Sequence, residues 1–209
     1  QSAVTKPEDD AWPSANPSGL PRWLRATATL NGGNVVGWAR TTFGEPAAQA
    51  DPELIFLPYL AGERSDVIPG DVSGAFIGLR EMHDRATIAR AAIDGVSMAL
   101  ADAFERAGGR LGTNAPVLAG GGGTRDDAWL RSLTDALGRP VAAISEADLS
   151  AWGAARSTAT TLGWIDPVTS PESWRPAFRT IEPSVTPEDV ESRLTRFRKL
   201  AARVFPAKG

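Results

Sequence analysis

Four consecutive glycines, Gly120 to Gly123, are followed by Thr124-Arg125-Asp126-Asp127-Ala128-Trp129. Ala115 to Ala119 before them is short and apolar like a buried strand, and Trp129, Leu133 and Leu137 after them repeat at helical spacing. The stretch therefore predicts strand, glycine turn, helix. Glycines carry no Cβ, so a ligand can lie directly on the backbone, and a helix start beyond them offers unpaired N–H groups and about half a positive charge. That chemistry suits a nucleotide or another anion. The same residues also suit a tight strand-to-helix turn with no ligand. Neither common phosphate loop fits. Counting G-x-G-x-x-G from Gly120 or Gly121 lands the last position on Arg125 or Asp126, and the three lysines, Lys6, Lys199 and Lys208, all lie outside any Walker A pattern.

A second glycine turn, Asn31-Gly32-Gly33-Asn34, follows Trp23 to Leu30, which reads as a strand, and opens a short helix through Trp38 to Phe43. Leu54 to Leu60 is an apolar strand candidate running into Gly62-Glu63-Arg64-Ser65. Arg64 beside Glu63 suggests a structural ion pair, or a phosphate contact. Gly70 to Gly78 reads as a loop around Ala75-Phe76-Ile77. From Asp84 the longest helix runs to Gly108-Gly109, with Ile88, Ala92, Val96, Ala99 and Ala103 on one stripe. Gly95 inside it costs about 1 kcal/mol against alanine, which points to a close neighbour.

Downstream, Pro140 to Ile144 predicts a strand and Ser150 to Thr161 a helix of small residues. Trp164 to Ser184 reads as irregular, and Thr186-Pro187-Glu188-Asp189 caps a last helix to about Arg203. The alternation of strands and helices argues an α/β fold. Three segments result: an irregular leader over 1–22, a domain over 23–163, and a proline-rich connection with the final helix over 164–209.

Composition narrows the function. With 42% hydrophobic residues in 209, the chain can fill one sizeable core. A net charge of -3 leaves no footprint for nucleic acid or an anionic membrane. Arg193, Arg196, Arg198, Lys199 and Arg203 read as a solvated helix face. Without cysteine there are no thiol nucleophiles or disulfides, which fits a cytoplasmic protein. The single histidine, His83, precludes a multi-histidine metal site and reads as a surface or helix-entry residue, since Asp84 next to it is a natural helix cap. No apolar run is long enough to span a bilayer. Gln1 in place of a starting Met suggests a chain cut from something longer.

Taken in order, Phe56 to Ser65, then Gly74-Ala75-Phe76-Ile77-Gly78-Leu79, then Arg90 to Val96, then the glycine run with Trp129 and Asp135, Gly138-Arg139-Pro140-Val141 and Gly153-Ala154-Ala155 resemble the C-terminal half of the FGGY carbohydrate kinases, most of all the xylulokinases among them. The similarity covers about Leu20 to Gly163. It implies the second domain of an actin-like, ribonuclease-H-type fold, incomplete at its N-terminal side, closing with a first domain on ATP, Mg²⁺ and a sugar. It also implies that Gly121, Gly122, Gly123 and Asp126, with Gly33, Gly37 and Trp38, line the adenosine site. Asp126 stands where that family more usually has Asn or Ser.

The activity implied is transfer of the ATP γ-phosphoryl group to a ketopentose, D-xylulose first. A gluconokinase-like specificity is the alternative within the class, and a non-catalytic nucleotide-binding or interaction module the alternative outside it. The family's catalytic aspartate, metal ligands and D-x-G-T-x-S phosphate loop belong to its N-terminal half, so no catalytic or metal-binding residue is expected here, and the fragment alone is expected to be inactive. Absent first strands would leave an unpaired sheet edge, to be covered by the other half or by a second copy in a homodimer.

Overall fold

The computed structural model describes the backbone of residues 12–14 and 22–24, and residues 27–64, 68–144, 148–166 and 176–206 in full. Most of the leader, Ser65 and part of the proline-rich connection lie outside the described residues. In chain order the elements are β1 (Trp12–Ser14), β2 (Arg22–Leu24), α1 (Gly33–Phe43), β3 (Ile55–Leu57), β4 (Ala75–Ile77), α2 (Arg85–Arg106), β5 (Val117–Ala119), a 3₁₀ turn (Gly122–Arg125), α3 (Asp127–Leu137), β6 (Val141–Ile144), α4 (Leu149–Thr161), β7 (Phe178–Ile181) and α5 (Pro187–Val204).

The main sheet has the order β5-β6-β7, with β5 and β6 parallel and β7 antiparallel to β6. The connection from β5 to β6 runs through the glycine run and α3, which is the crossover a parallel pair requires. Among the described residues no strand pairs with the outer edge of β5. Two ribbons accompany the sheet, β1 with β2 and β3 with β4, both antiparallel.

α2 organises the packing. Thirteen of its 22 residues are buried, and the two apolar clusters lie along it. One gathers Leu57, Met98, Leu130, Leu137, Val141, Leu194 and Phe197. The other gathers Val35, Val36, Phe56, Ile93 and Val96, with Trp38 and Phe76 against them. Asp84 caps α2 by accepting from the Thr87 N–H at 2.8 Å, and Thr186 with Asp189 forms a capping box on α5.

Several segments differ from the sequence reading for identifiable reasons. Ala75–Ile77 is a strand rather than loop, because backbone pairing with β3 supplies what three residues of pattern could not signal. Phe178–Ile181 is a strand inside the stretch read as irregular; it covers the sheet's far edge and is largely exposed, so it carries no apolar alternation. Of the strand expected over Trp23 to Leu30, Arg22–Leu24 pairs with Trp12–Ser14, within the expected leader, and residues 27–30 are not strand.

His83 stands at the entry of α2, one residue before its cap Asp84, but its side chain is not on the surface. Its side chain is 2% exposed, with Nε2 2.9 Å from Asp51 Oδ2 and Nδ1 accepting the Arg80 N–H at 3.0 Å. Nor is the C-terminal basic cluster simply solvated. Arg198 reaches Asp102 and Glu105 of α2, and Arg196 reaches Glu53. The small residues Ala151, Ala154 and Ala155 of α4 are exposed, and only Ala159 of that helix is buried.

Candidate functional site

The first glycine turn is held from below. Asn31 is fully buried, donating from Nδ2 to the Gly62 carbonyl at 2.6 Å and accepting the Ala61 N–H at 3.2 Å. Glu63, also buried, accepts from the Thr29 hydroxyl at 2.9 Å, from Asn31 and from the N–H groups of Leu30 and Arg64. Glu63 is thus spent on the backbone and on Thr29 and Asn31, and not on an ion pair with the Arg64 guanidinium. Its carboxylate ties the start of α1 to the loop after β3. Asn34 closes the turn locally, accepting the Gly32 N–H at 2.9 Å and donating to the Leu30 carbonyl at 3.0 Å.

The second turn follows β5 directly. Gly121 has φ +98°, a conformation that favours glycine. Thr124 donates its hydroxyl to the Gly121 carbonyl at 2.8 Å and to that of Ile144 at 3.2 Å, joining the turn to the end of β6. A 3₁₀ turn intervenes before α3, so the helix begins at Asp127 with Asp126 as its N-cap, accepting the Trp129 N–H at 2.9 Å. One of the helix-start donors expected to face a ligand is therefore taken from within the fold.

Tertiary structure brings the two turns together around Trp129. A Cβ on Gly33 would stand 3.8 Å from the indole Cζ3, and one on Gly123 would stand only 1.9 Å from it, so the ring lies on the bare Cα of Gly123. Where Gly37, Gly121 and Gly122 face outward, a Cβ would meet nothing within 4 Å. These three line open space. Trp38 lies elsewhere: its ring stacks on Phe56 at 5.8 Å and meets Phe43 edge-on at 5.4 Å, within the apolar cluster behind α1.

Asp126 also meets Arg40. The guanidinium Nε and Nη2 donate to Oδ2 at 3.0 and 2.9 Å, and Nη2 donates to Oδ1 at 2.8 Å; Nη1 pairs with Glu45. Burial pushes the Asp126 carboxyl up, but the Arg40 and Trp129 hydrogen bonds outweigh it and hold the group below its ordinary range. The Arg40 guanidinium is raised, chiefly by Asp126. Sequence reading missed Arg40, although a signal existed. Gly33, Gly37 and Arg40 stand at i, i+4 and i+7 and share one face of α1, whereas Trp38 falls off that face. Among the described residues no group of three or more His, Asp or Glu side chains gathers as a metal site.

With this geometry in view, the comparisons with known proteins are specific. A solved structure described as a xyloylose kinase from Brucella ovis superposes with a TM-score of 0.63 at 29% identity, over 83% of this chain and 37% of that one. The architecture is the second domain of the actin-like, ribonuclease-H-like fold. Residues 14–162 match the C-terminal domain of the FGGY family of carbohydrate kinases, and the chain belongs to that family. It is 29% identical over 157 residues to the xylulose kinase of Staphylococcus epidermidis, covering 68% of this chain and 31% of that protein. It is 31% identical over 136 residues to the gluconokinase of Bacillus licheniformis, covering 54% and 26%. The chain thus spans about a third or less of the length of these curated relatives.

Proposed function

We propose that this chain is the adenosine-binding side of an ATP-dependent sugar kinase that transfers the γ-phosphoryl group of ATP to a ketopentose, D-xylulose first. One observation carries the reading: two separate glycine turns, 88 positions apart between Gly33 and Gly121, are drawn to a common wall, with Trp129 seated against one glycine of each and Gly37, Gly121 and Gly122 turned to open space. Such a surface admits a flat base and a ribose against main-chain atoms, with backbone N–H groups in place of side-chain donors. The family to which the chain belongs supports ATP as the ligand.

Phosphoryl transfer needs a base for the sugar hydroxyl and Mg²⁺ across the phosphates, which would supply charge neutralisation there. Those groups are assigned to the remainder of a longer protein, acting in the cytoplasm, and the described residues are assigned binding and orientation of the adenosine. The similarity to a gluconokinase supports gluconate as the second candidate substrate. The third reading is a binding module without chemistry.

The test is calorimetric titration of ATP into the chain and into Gly122→Val, with melting curves for both. The new side chain projects into open space, so the fold is expected to persist while ATP binding is lost. Equal ATP binding by both proteins would move the nucleotide away from this turn. No sugar-dependent ADP formation is expected from the chain alone, and robust turnover by pure material would overturn the division of labour.

A further inference from the structure

We infer that Arg40 is a positioning residue of this site, and that Asp126 is spent as the other half of its clasp rather than as a hydrogen-bond acceptor for the nucleotide. The inference rests on the adenosine reading above and deepens it. A carboxylate offers about four acceptor positions. In Asp126, Oδ1 accepts from Arg40 Nη2 and from the Trp129 N–H, and Oδ2 accepts from Arg40 Nε and Nη2. Three donors, with Nη2 shared between the two oxygens, thus engage both oxygens from within the fold, so a ribose hydroxyl or adenine amine would have to compete with them.

The clasp sits where it matters geometrically. Arg40 projects from the face of α1 that carries Gly33 and Gly37, and Asp126 is the N-cap of α3 directly after the second turn. A forked, charge-assisted pair fixes orientation as well as distance, unlike a point contact from lysine. With the Trp129 ring filling the gap between Gly33 and Gly123, the two turns are held as one wall. Three other polar side chains at the wall are also engaged internally: Asn34 with the first turn, Thr41 with the Gly37 carbonyl at 2.9 Å, and Thr124 with Gly121 and Ile144; the Trp129 Nε1–H is buried with no partner among the described residues. The ligand is left chiefly with a preorganised backbone surface.

A direct role for Asp126 makes the opposite prediction for Arg40. If the carboxylate served the ligand, removing Arg40 would free it, and ATP affinity would hold or rise. If the pair positions the turns, removing either partner costs the same.

The experiment is ATP calorimetry on the chain, Arg40→Ala, Asp126→Ala and the double variant, with urea unfolding of all four. Arg40→Lys, which keeps the charge without the fork, serves as the milder variant. Arg198→Ala, which loosens α5 from α2 far from both turns, controls for lost stability.

The expected result is a loss of about tenfold in ATP affinity in each single variant, no further loss in the double, a comparable loss in Arg40→Lys, and an unchanged affinity in Arg198→Ala. Retained or improved affinity in Arg40→Ala beside a loss in Asp126→Ala would overturn the inference. Additive urea effects would overturn the clasp itself. Coupled urea effects in a chain that binds no ATP would remove the adenosine reading, and the positioning role with it.

Discussion

Gly95, in the middle of α2, lies against the main-chain carbonyl of Phe56 on β3, so close that a Cβ at 95 would come within 2.2 Å of that oxygen and 3.0 Å of the Phe56 Cβ. The glycine lets the longest helix touch the backbone of the strand beneath it. Helix propensity alone would reward Gly95→Ala by about 1 kcal/mol. The overlap is with backbone, which cannot rotate away, and overpacking of this kind costs about 1–3 kcal/mol or more. We expect Gly95→Ala to unfold at lower urea by a net loss of about 2 kcal/mol. An increase in midpoint would show that α2 can lift from β3 at little cost.

The glycines of the second turn should not respond alike. Gly123→Ala drives a methyl group into the Trp129 ring, so the indole must leave its seat between the turns, at a cost of about 1–3 kcal/mol. Gly122→Ala meets nothing within 4 Å, and we expect its stability to stay within about 0.5 kcal/mol of the parent. Paired thermal melts compare the two directly, and equal melting temperatures would contradict the placement of the indole.

The Arg40–Asp126 pair sets a pH dependence. The folded Asp126 carboxyl lies below its ordinary value of 3.8, so the folded state binds that proton less readily than the unfolded chain does. Its contribution is whole above the unfolded value and fades as pH falls through the folded one. The stability advantage of the parent over Asp126→Asn should therefore be full near pH 6 and shrink as the pH is lowered from about 5 to 3. Urea midpoints across that range measure it, and an advantage that grew on acidification would exclude the pair as its source.

The outer edge of β5, unpaired among the described residues, predicts behaviour in solution. Leu118, at its centre, is 68% exposed, and a groove lined by Leu100, Phe104, Leu133 and Trp129 runs beside it. Unpaired edges next to apolar surface promote association. Leu118→Lys should lower the concentration-dependent light scattering of the isolated chain without lowering its melting temperature. A monodisperse parent chain would show that this edge is harmless.

Much of the fold was legible in the linear sequence, because its signals are local. Asp84 and Thr186 announce helix starts through their own caps, Gly108-Gly109 announces the end of α2, where Gly108 takes a positive φ, and the stripe from Ile88 to Ala103 needs only the helical period to be seen. β4 and β7 were not legible. Each is three or four residues long, and each is defined by the partner strand it pairs with rather than by a pattern of its own.

For the site, the sequence by itself determined the material: two glycine turns, each opening a helix, within an ordered run of motifs that marks the family. Only the tertiary structure decided what those residues face. It turned Trp38 into the aromatic cluster, seated Trp129 on Gly123, buried His83 against Asp51, and gave Asp126 to Arg40, 86 positions away. The reason is physical. Backbone conformation and capping depend on neighbours a few positions away, whereas burial and hydrogen-bond partnership depend on which surfaces meet once the apolar faces of α1, α2 and α3 have found each other.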